Sequence, residues 1–298
     1  MADPSLLYCV GATKAGTSWL YRALFEHPEC WLRAVKETHY FDTMAVADAD
    51  RQIAKFTTRI EAFGKLLDRV RVDGNLARIV SLEDQLATLR SLIGVLSADR
   101  TDDAAYRGWM LHGRTNEPVI ADITPSYALL PDADFARMLA LNRSARVIYL
   151  VRDPVARLWS QVRMQVKRRD GDADGFQMRC NNMLARVLKG EADPGIVARG
   201  DYAGIIAKLR RVIPKDRLLV EYAERMFTPA GWTAMCGFIG ITPTEVGSDR
   251  EVLKGDHAVI DPDLADRTAA FLRDQYDFMA RDMGPLPSAW QTNLARAA

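Results

Sequence analysis

The chain has 298 residues, 48% apolar and 27% charged, the ordinary mix of a soluble globular protein and long enough to bury a core without disulfides or metals. Forty Lys and Arg against 39 Asp and Glu leave a net charge of +1, which excludes a generally basic nucleic-acid binder but leaves room for a local anion site. No apolar run nears the roughly 18 residues of a membrane helix, and the N-terminus lacks the basic start and cleavage site of a signal peptide, so a cytoplasmic location is expected.

Residues 6–10, Leu-Leu-Tyr-Cys-Val, predict a buried strand ending at Gly11, and a helix is predicted over 17–26. From about 43 to 117 the pattern changes. Leu82, Leu86, Leu89, Ile93 and Leu96 recur every three or four residues, and Ser81 and Asp84 have the spacing of a capping box. A helical insert packed on the sheet is expected, its leucine stripe a core face rather than a dimer seam. Further strands are predicted at 119–121, ending at Asp122, at 146–151, ending at Arg152, and at 218–220, ending at Glu221. Asp153 and Pro154 open a helix over 154–169 as cap and first residue. Residues 260–291 read as a closing helix with a proline-containing tail. The apolar runs are continuous rather than alternating, as in parallel strands covered on both faces, so the class is α/β in a single domain over 1–298. Four cysteines are too far apart for a zinc site or a disulfide framework, and the four histidines form no ligand pair, so reduced thiols and no metal are expected.

The segment Gly11-Ala12-Thr13-Lys14-Ala15-Gly16-Thr17-Ser18-Trp19-Leu20 runs from strand through a glycine-containing loop into an amphipathic helix. Such a loop wraps backbone N–H groups round an anion, and the helix N-terminus adds partial positive charge. The ATP-binding version has lysine directly after its second glycine. Here that place holds Thr17, and the only lysine is Lys14, two residues before Gly16.

With its displaced lysine, Lys14-Ala15-Gly16-Thr17-Ser18-Trp19 resembles the K-x-G-T-[TS] loop that binds the 5′-phosphosulfate end of 3′-phosphoadenosine-5′-phosphosulfate (PAPS) in the PAPS-dependent sulfotransferases, with the Trp common in the cytosolic branch. Arg152, at a strand end, and Ser160, eight residues on, resemble that family's 3′-phosphate segment. A guanidinium and a hydroxyl suit one phosphate. Lys36-Glu37-Thr38-His39-Tyr40-Phe41-Asp42 is similar to the K-E-P-H-F-F-D form of the carbohydrate-modifying branch, where the glutamate is the base. The resemblance spans roughly 5–42, 117–168 and 196–255 and leaves the insert outside.

What the resemblance implies is a P-loop-like three-layer fold, a central, mostly parallel sheet flanked by helices, and sulfuryl transfer from PAPS, leaving 3′-phosphoadenosine-5′-phosphate (PAP), to a hydroxyl or amine of a small-molecule or carbohydrate acceptor. No metal takes part. It implies Glu37 as general base, Lys14 as stabiliser of the leaving group and His39 as an assisting or orienting neighbour. It places Lys14, Ala15, Gly16, Thr17, Ser18 and Trp19 on the nucleotide, Trp19 stacking on adenine, together with Arg152, Ser160, Tyr202 and the Lys254-Gly255 pair of a late basic loop. Lys36, Asp42, Asp122 and Tyr127 are implied to face the acceptor. The segment from Asp122 to Tyr127 departs from the family's E-K-[TS]-P-x-Y, with Asp122 for glutamate and Ile123 for lysine. Two other readings of the residues stand beside this one. A metal-dependent P-loop kinase would use Asp122 as a metal-binding carboxylate and lose activity in EDTA. A non-catalytic nucleotide-binding module would ignore Glu37→Gln.

Overall fold

The computed structural model describes residues 3–171, 174–245 and 258–297. Strand β1 (Ser5–Gly11) leads into helix α1 (Thr17–Phe25), and a short strand β2 (Cys30–Trp31) follows. Helices α2 (Val46–Asp73), α3 (Leu76–Ser97) and α4 (Ala104–Leu111) come next. The chain returns to the sheet as β3 (Val119–Ile123), and α5 (Asp132–Ala140) leads to β4 (Arg146–Val151). Helices α6 (Pro154–Asp170), α7 (Phe176–Leu188), α8 (Gly195–Ala198) and α9 (Tyr202–Val212) precede β5 (Leu218–Tyr222). Helices α10 (Ala223–Met226), α11 (Pro229–Ile239), α12 (Pro262–Phe271), α13 (Arg273–Met283) and α14 (Gln291–Ala297) follow.

The strands form one parallel sheet in the order β2-β3-β1-β4-β5. Strands β1, β3 and β4 are buried at nearly every position, which is why their sequences are nearly all apolar, with the buried Asp122 the exception inside β3. From the central β1 the chain goes first to one side of the sheet and then, by way of β4, to the other. The carboxyl ends of β1 and β4 therefore flank the switch point at which open α/β sheets bind their ligands. Asp153 caps α6 as expected, accepting from the Ala156 N–H at 2.8 Å.

Three expectations change. Strand β2 has two residues, too few for a periodic signal. Helix α3 begins at Leu76, with the Asn75 side chain accepting from the Arg78 N–H at 3.0 Å. Ser81 lies inside the helix and accepts from Gln85 instead of capping. The closing segment is two helices that meet at Leu272 rather than one. The leucine stripe is a core face: Leu82 and Leu86 pack on Leu67 and Val70 of α2, and Leu89 and Leu96 join the main core. All four cysteines are free and buried. Among the described residues no helix is long and apolar enough to cross a membrane.

Candidate active site

The loop after β1 is shaped by two glycines. A Cβ on Gly11 would stand 2.5 Å from Cε2 of Tyr149, so only glycine lets β1 end against β4 here. Gly16 has φ +87°, in the left-handed region that favours glycine, and a Cβ there would lie 2.9 Å from Cζ of Phe227. Between them the Ala12 N–H donates to the Leu150 carbonyl at 2.7 Å and ties the loop to β4. The loop turns directly into the first turn of α1, where Thr17 and Ser18 sit.

A cleft of about 1270 Å³ opens over this loop. Lys14, Gly16, Thr17, Ser18, Trp19, Lys36, Glu37, His39, Arg152 and Ser160 line it together. The Lys14 pKa is lowered, first by burial and then by the positive charges of Lys36, Arg152, Arg163 and Arg168. A concave wall with that many cations near one ammonium favours an anion. Arg152 also donates to the Lys14 carbonyl at 3.2 Å, which ties the two strand ends together.

Glu37 sits between two cations. Its Oε1 accepts from Lys36 Nζ at 2.9 Å, and Lys36 also donates to Thr17 Oγ1 at 3.0 Å and Ser18 Oγ at 3.3 Å. Its Oε2 is 3.8 Å from His39 Nε2, and His39 Nδ1 lies 2.9 Å from Asp42 Oδ2. Asp42 also accepts from Ser126 Oγ at 2.6 Å. Burial alone would push the Glu37 carboxyl up, but the neighbouring His39 imidazolium and the bonded Lys36 ammonium outweigh it and hold the group well below the usual carboxylate range. For His39, burial works against the charged form, yet its hydrogen bond to Asp42 and its ion pair with Glu37 prevail and push it up to about 9. At neutral pH the site therefore holds an imidazolium flanked by two carboxylates. Glu37 and His39 both have positive φ, +67° and +53°, a strained conformation of the kind concentrated at functional sites.

Asp122 and Tyr127, expected to face the acceptor, do not line the cleft. Asp122 is 2% exposed. Its Oδ1 accepts from Thr124 at 2.6 Å, and its Oδ2 accepts from Thr38, Tyr106 and Tyr127 at 2.7, 2.8 and 3.0 Å. In turn the Thr124 hydroxyl accepts from the Thr38 N–H and the Tyr127 hydroxyl from the Tyr40 N–H, each at 3.0 Å. Together they form a hub under the 36–42 loop that holds it in place. Asp122→Asn exchanges an acceptor oxygen for an NH₂ facing hydroxyl hydrogens, so a loss of about 1–3 kcal/mol is expected. Urea unfolding checks this, and an unchanged midpoint would dismiss the hub.

Tyr202 likewise stays out of the cleft. It donates to the Arg152 carbonyl at 2.6 Å and accepts from the Arg152 N–H at 3.2 Å, so it positions that residue's backbone. Gly200 is needed two residues earlier because a Cβ there would fall 2.6 Å from the buried Arg157 guanidinium. Ala15 is buried within the loop, and Asp42 reaches the cleft through His39 and Ser126. Trp19 is a wall rather than an open face: its indole is 8% exposed and meets Phe227 and Trp232 edge-on, at 5.3 and 5.5 Å. The ring left open to the cleft is Phe227, 45% exposed. Lys254 and Gly255 lie outside the described residues. Sequence reasoning missed Phe227, Arg168, Arg199 and a face of α2 made of Gln52, Lys55, Phe56 and Arg59, all of which line the cleft. Only the α2 face left a signal, its helical spacing. Among the described residues no three His, Cys, Asp or Glu cluster as metal ligands would.

A family model described as "Sulfotransferase family" matches residues 7–245. No curated protein matches the chain. Among solved structures, a sulfotransferase from Alicyclobacillus acidocaldarius superposes with a TM-score of 0.61 at 19% identity, covering 98% of this chain and 100% of its own. That likeness is one of fold. The sulfotransferase domain of the Synechococcus PCC 7002 olefin synthase aligns at 19% identity with a TM-score of 0.44, over 99% of this chain and 93% of that one.

Proposed function

Because the chain belongs to the sulfotransferase family, we propose that it moves the sulfuryl group of PAPS to a hydroxyl or amine of a small-molecule or carbohydrate acceptor. The observation that carries this reading is a backbone cradle at the start of α1 that shares one cleft with Lys14, Lys36, Arg152 and Arg168. The cleft also exceeds the roughly 300–1,000 Å³ that one drug-sized ligand occupies, which suits donor and acceptor side by side.

When bound, PAPS supplies the activated sulfuryl group. The backbone N–H groups of Gly16, Thr17 and Ser18 hold its 5′-phosphate, Arg152 and Ser160 its 3′-phosphate, and Phe227 offers a ring to the base. Glu37 accepts the proton of the attacking hydroxyl as the new S–O bond forms. Lys14 faces the bridging oxygen, which keeps the electron pair of the breaking S–O bond. A carboxylate as weakly basic as Glu37 takes that proton late, once bond formation has made the acceptor oxygen strongly acidic. His39, held by Asp42, keeps Glu37 oriented. Catalysis of this kind is mainly positioning and charge stabilisation.

Calorimetry with PAP and ATP tests the donor site. The wild type is expected to bind PAP at least tenfold more tightly than ATP. Arg152→Ala should lose about ten- to a hundredfold in PAP affinity, the worth of a charged hydrogen-bond pair, with little change for ATP. Equal affinity for the two nucleotides would end this reading.

A further inference from the structure

One wall of the cleft comes from the helical insert and belongs to none of the motifs above. Gln52, Lys55, Phe56 and Arg59 are spaced so that they share one face of α2 over about two turns. The Phe56 ring lies 6.4 Å from that of His39, and Glu37 is a charge neighbour of Arg59, so this face lies beside the Glu37–His39 pair. Arg59 is half-buried, with its guanidinium 5.0 Å over the Phe63 ring. Lys55 is exposed one turn earlier.

On the same helix, Arg51 and Arg71 are paired with Asp48 and Glu83. Among the described residues, by contrast, neither Lys55 nor Arg59 has a carboxylate within ion-pair distance. Like charges one turn apart repel each other, and a half-buried guanidinium with no carboxylate in ion-pair distance, Glu37 acting on Arg59 only from farther off, is costly. Both strains are relieved by an anion that enters from the cleft. The titratable neighbours of Arg59 are Glu37 and Tyr21, whereas those of Lys14 are Lys36, Arg152, Arg163 and Arg168. Arg59 therefore lies on the Glu37 side of the cleft, and neither α2 cation is among the charges that act on Lys14.

We infer that this face of α2 is an acceptor subsite for a hydroxy compound with an apolar segment and, beyond it, an anionic group. The hydroxyl meets Glu37, the apolar segment runs beside Phe56, and a carboxylate or phosphate monoester lies between Lys55 and Arg59. The inference rests on reading the cleft as a sulfuryl-transfer site.

The test uses labelled PAPS and matched acceptors: hydroxyphenyl and hydroxyalkyl carboxylates against their methyl esters, and hydroxyalkyl phosphate monoesters against the parent diols. The wild type is expected to favour the anionic member by tenfold or more in kcat/KM, and the two series tell carboxylate from phosphate. In Lys55→Ala/Arg59→Met, which keeps packing on Phe63, the ratio should fall to about one, with PAP affinity and thermal midpoint kept. Equal or better use of the neutral members overturns the inference. So does a preference that survives the double substitution, a tenfold loss of PAP affinity in that variant, or the absence of any sulfated product while PAP binds. Failure of the wild type to bind PAP is a separate result: it overturns the donor reading, and this inference with it.

Discussion

Glu37→Gln is expected to lower kcat by about 10²–10⁴-fold, the usual worth of a positioned general base. PAP affinity should hardly change, because Glu37 meets the nucleotide's cradle only through Lys36. The amide keeps the size of the side chain and loses the proton acceptor, so rate and binding separate. The pH profile adds a second check. Glu37 is held deprotonated well below the usual carboxylate range, so the wild type should show no acidic limb between about pH 5 and 8. His39 titrates at about 9, so activity should fall above that pH as the imidazolium loses its proton. In Glu37→Gln one of the two carboxylates facing His39 is gone, and the alkaline limb of the residual activity should move down. The same group affects stability with a definite sign. A histidine whose pKa is raised on folding contributes most below its unfolded value of about 6.5 and loses that contribution as the pH rises through about 9. A kcat within threefold of wild type would remove Glu37 from the chemistry.

Lys14→Ala is expected to cost about 10²–10³-fold in kcat, the range seen when one donor to a developing oxyanion is removed. Nucleotide affinity should fall much less, because Arg152, Lys36 and the loop backbone stay and because charge on the bridging oxygen grows only as the S–O bond breaks. Single-turnover kinetics with saturating donor separates the two quantities. A variant that loses affinity and turnover in equal measure would make Lys14 a binding residue only. Burial and four neighbouring cations already weaken the lysine's hold on its proton, so Lys14→Arg, which fixes the charge but lengthens the side chain, should recover binding better than rate.

The sheet was legible because β1, β3 and β4 are buried on both faces, so their sequences are unbroken apolar runs that end in a polar or glycine residue at the site. Residues 11–19 and 152–160 were legible for a related reason, since phosphate-sized anions need glycine, a helix start and a cation at fixed spacing. The roles of Asp122, Tyr127 and Tyr202 were not. A sequence says that a carboxylate or phenol is near a site, but not whether it faces the ligand or the residue behind it. Tyr202 bonds the Arg152 backbone, Tyr127 accepts from the Tyr40 N–H and Asp122 accepts from the Thr38 hydroxyl, contacts 50 to 87 residues apart in the chain. Trp19 lines the cleft, but its packing against Phe227 and Trp232, from a distant part of the chain, could not be read from its own segment. The α2 wall carried a readable period but no motif, and only the folded chain brings it into the cleft beside His39.

The Asp122 carboxyl beneath the 36–42 segment sets the direction of the four hydroxyl dipoles that meet it. The hydrogens of Thr38, Tyr106, Thr124 and Tyr127 are all drawn down toward Asp122, which leaves oxygen lone pairs facing up toward the peptide groups of the strained turn. The turn is thus oriented by polarity as well as by shape, like filings over a buried magnet. A neutral side chain of the same outline would fill the hole yet leave the sense of each dipole undecided.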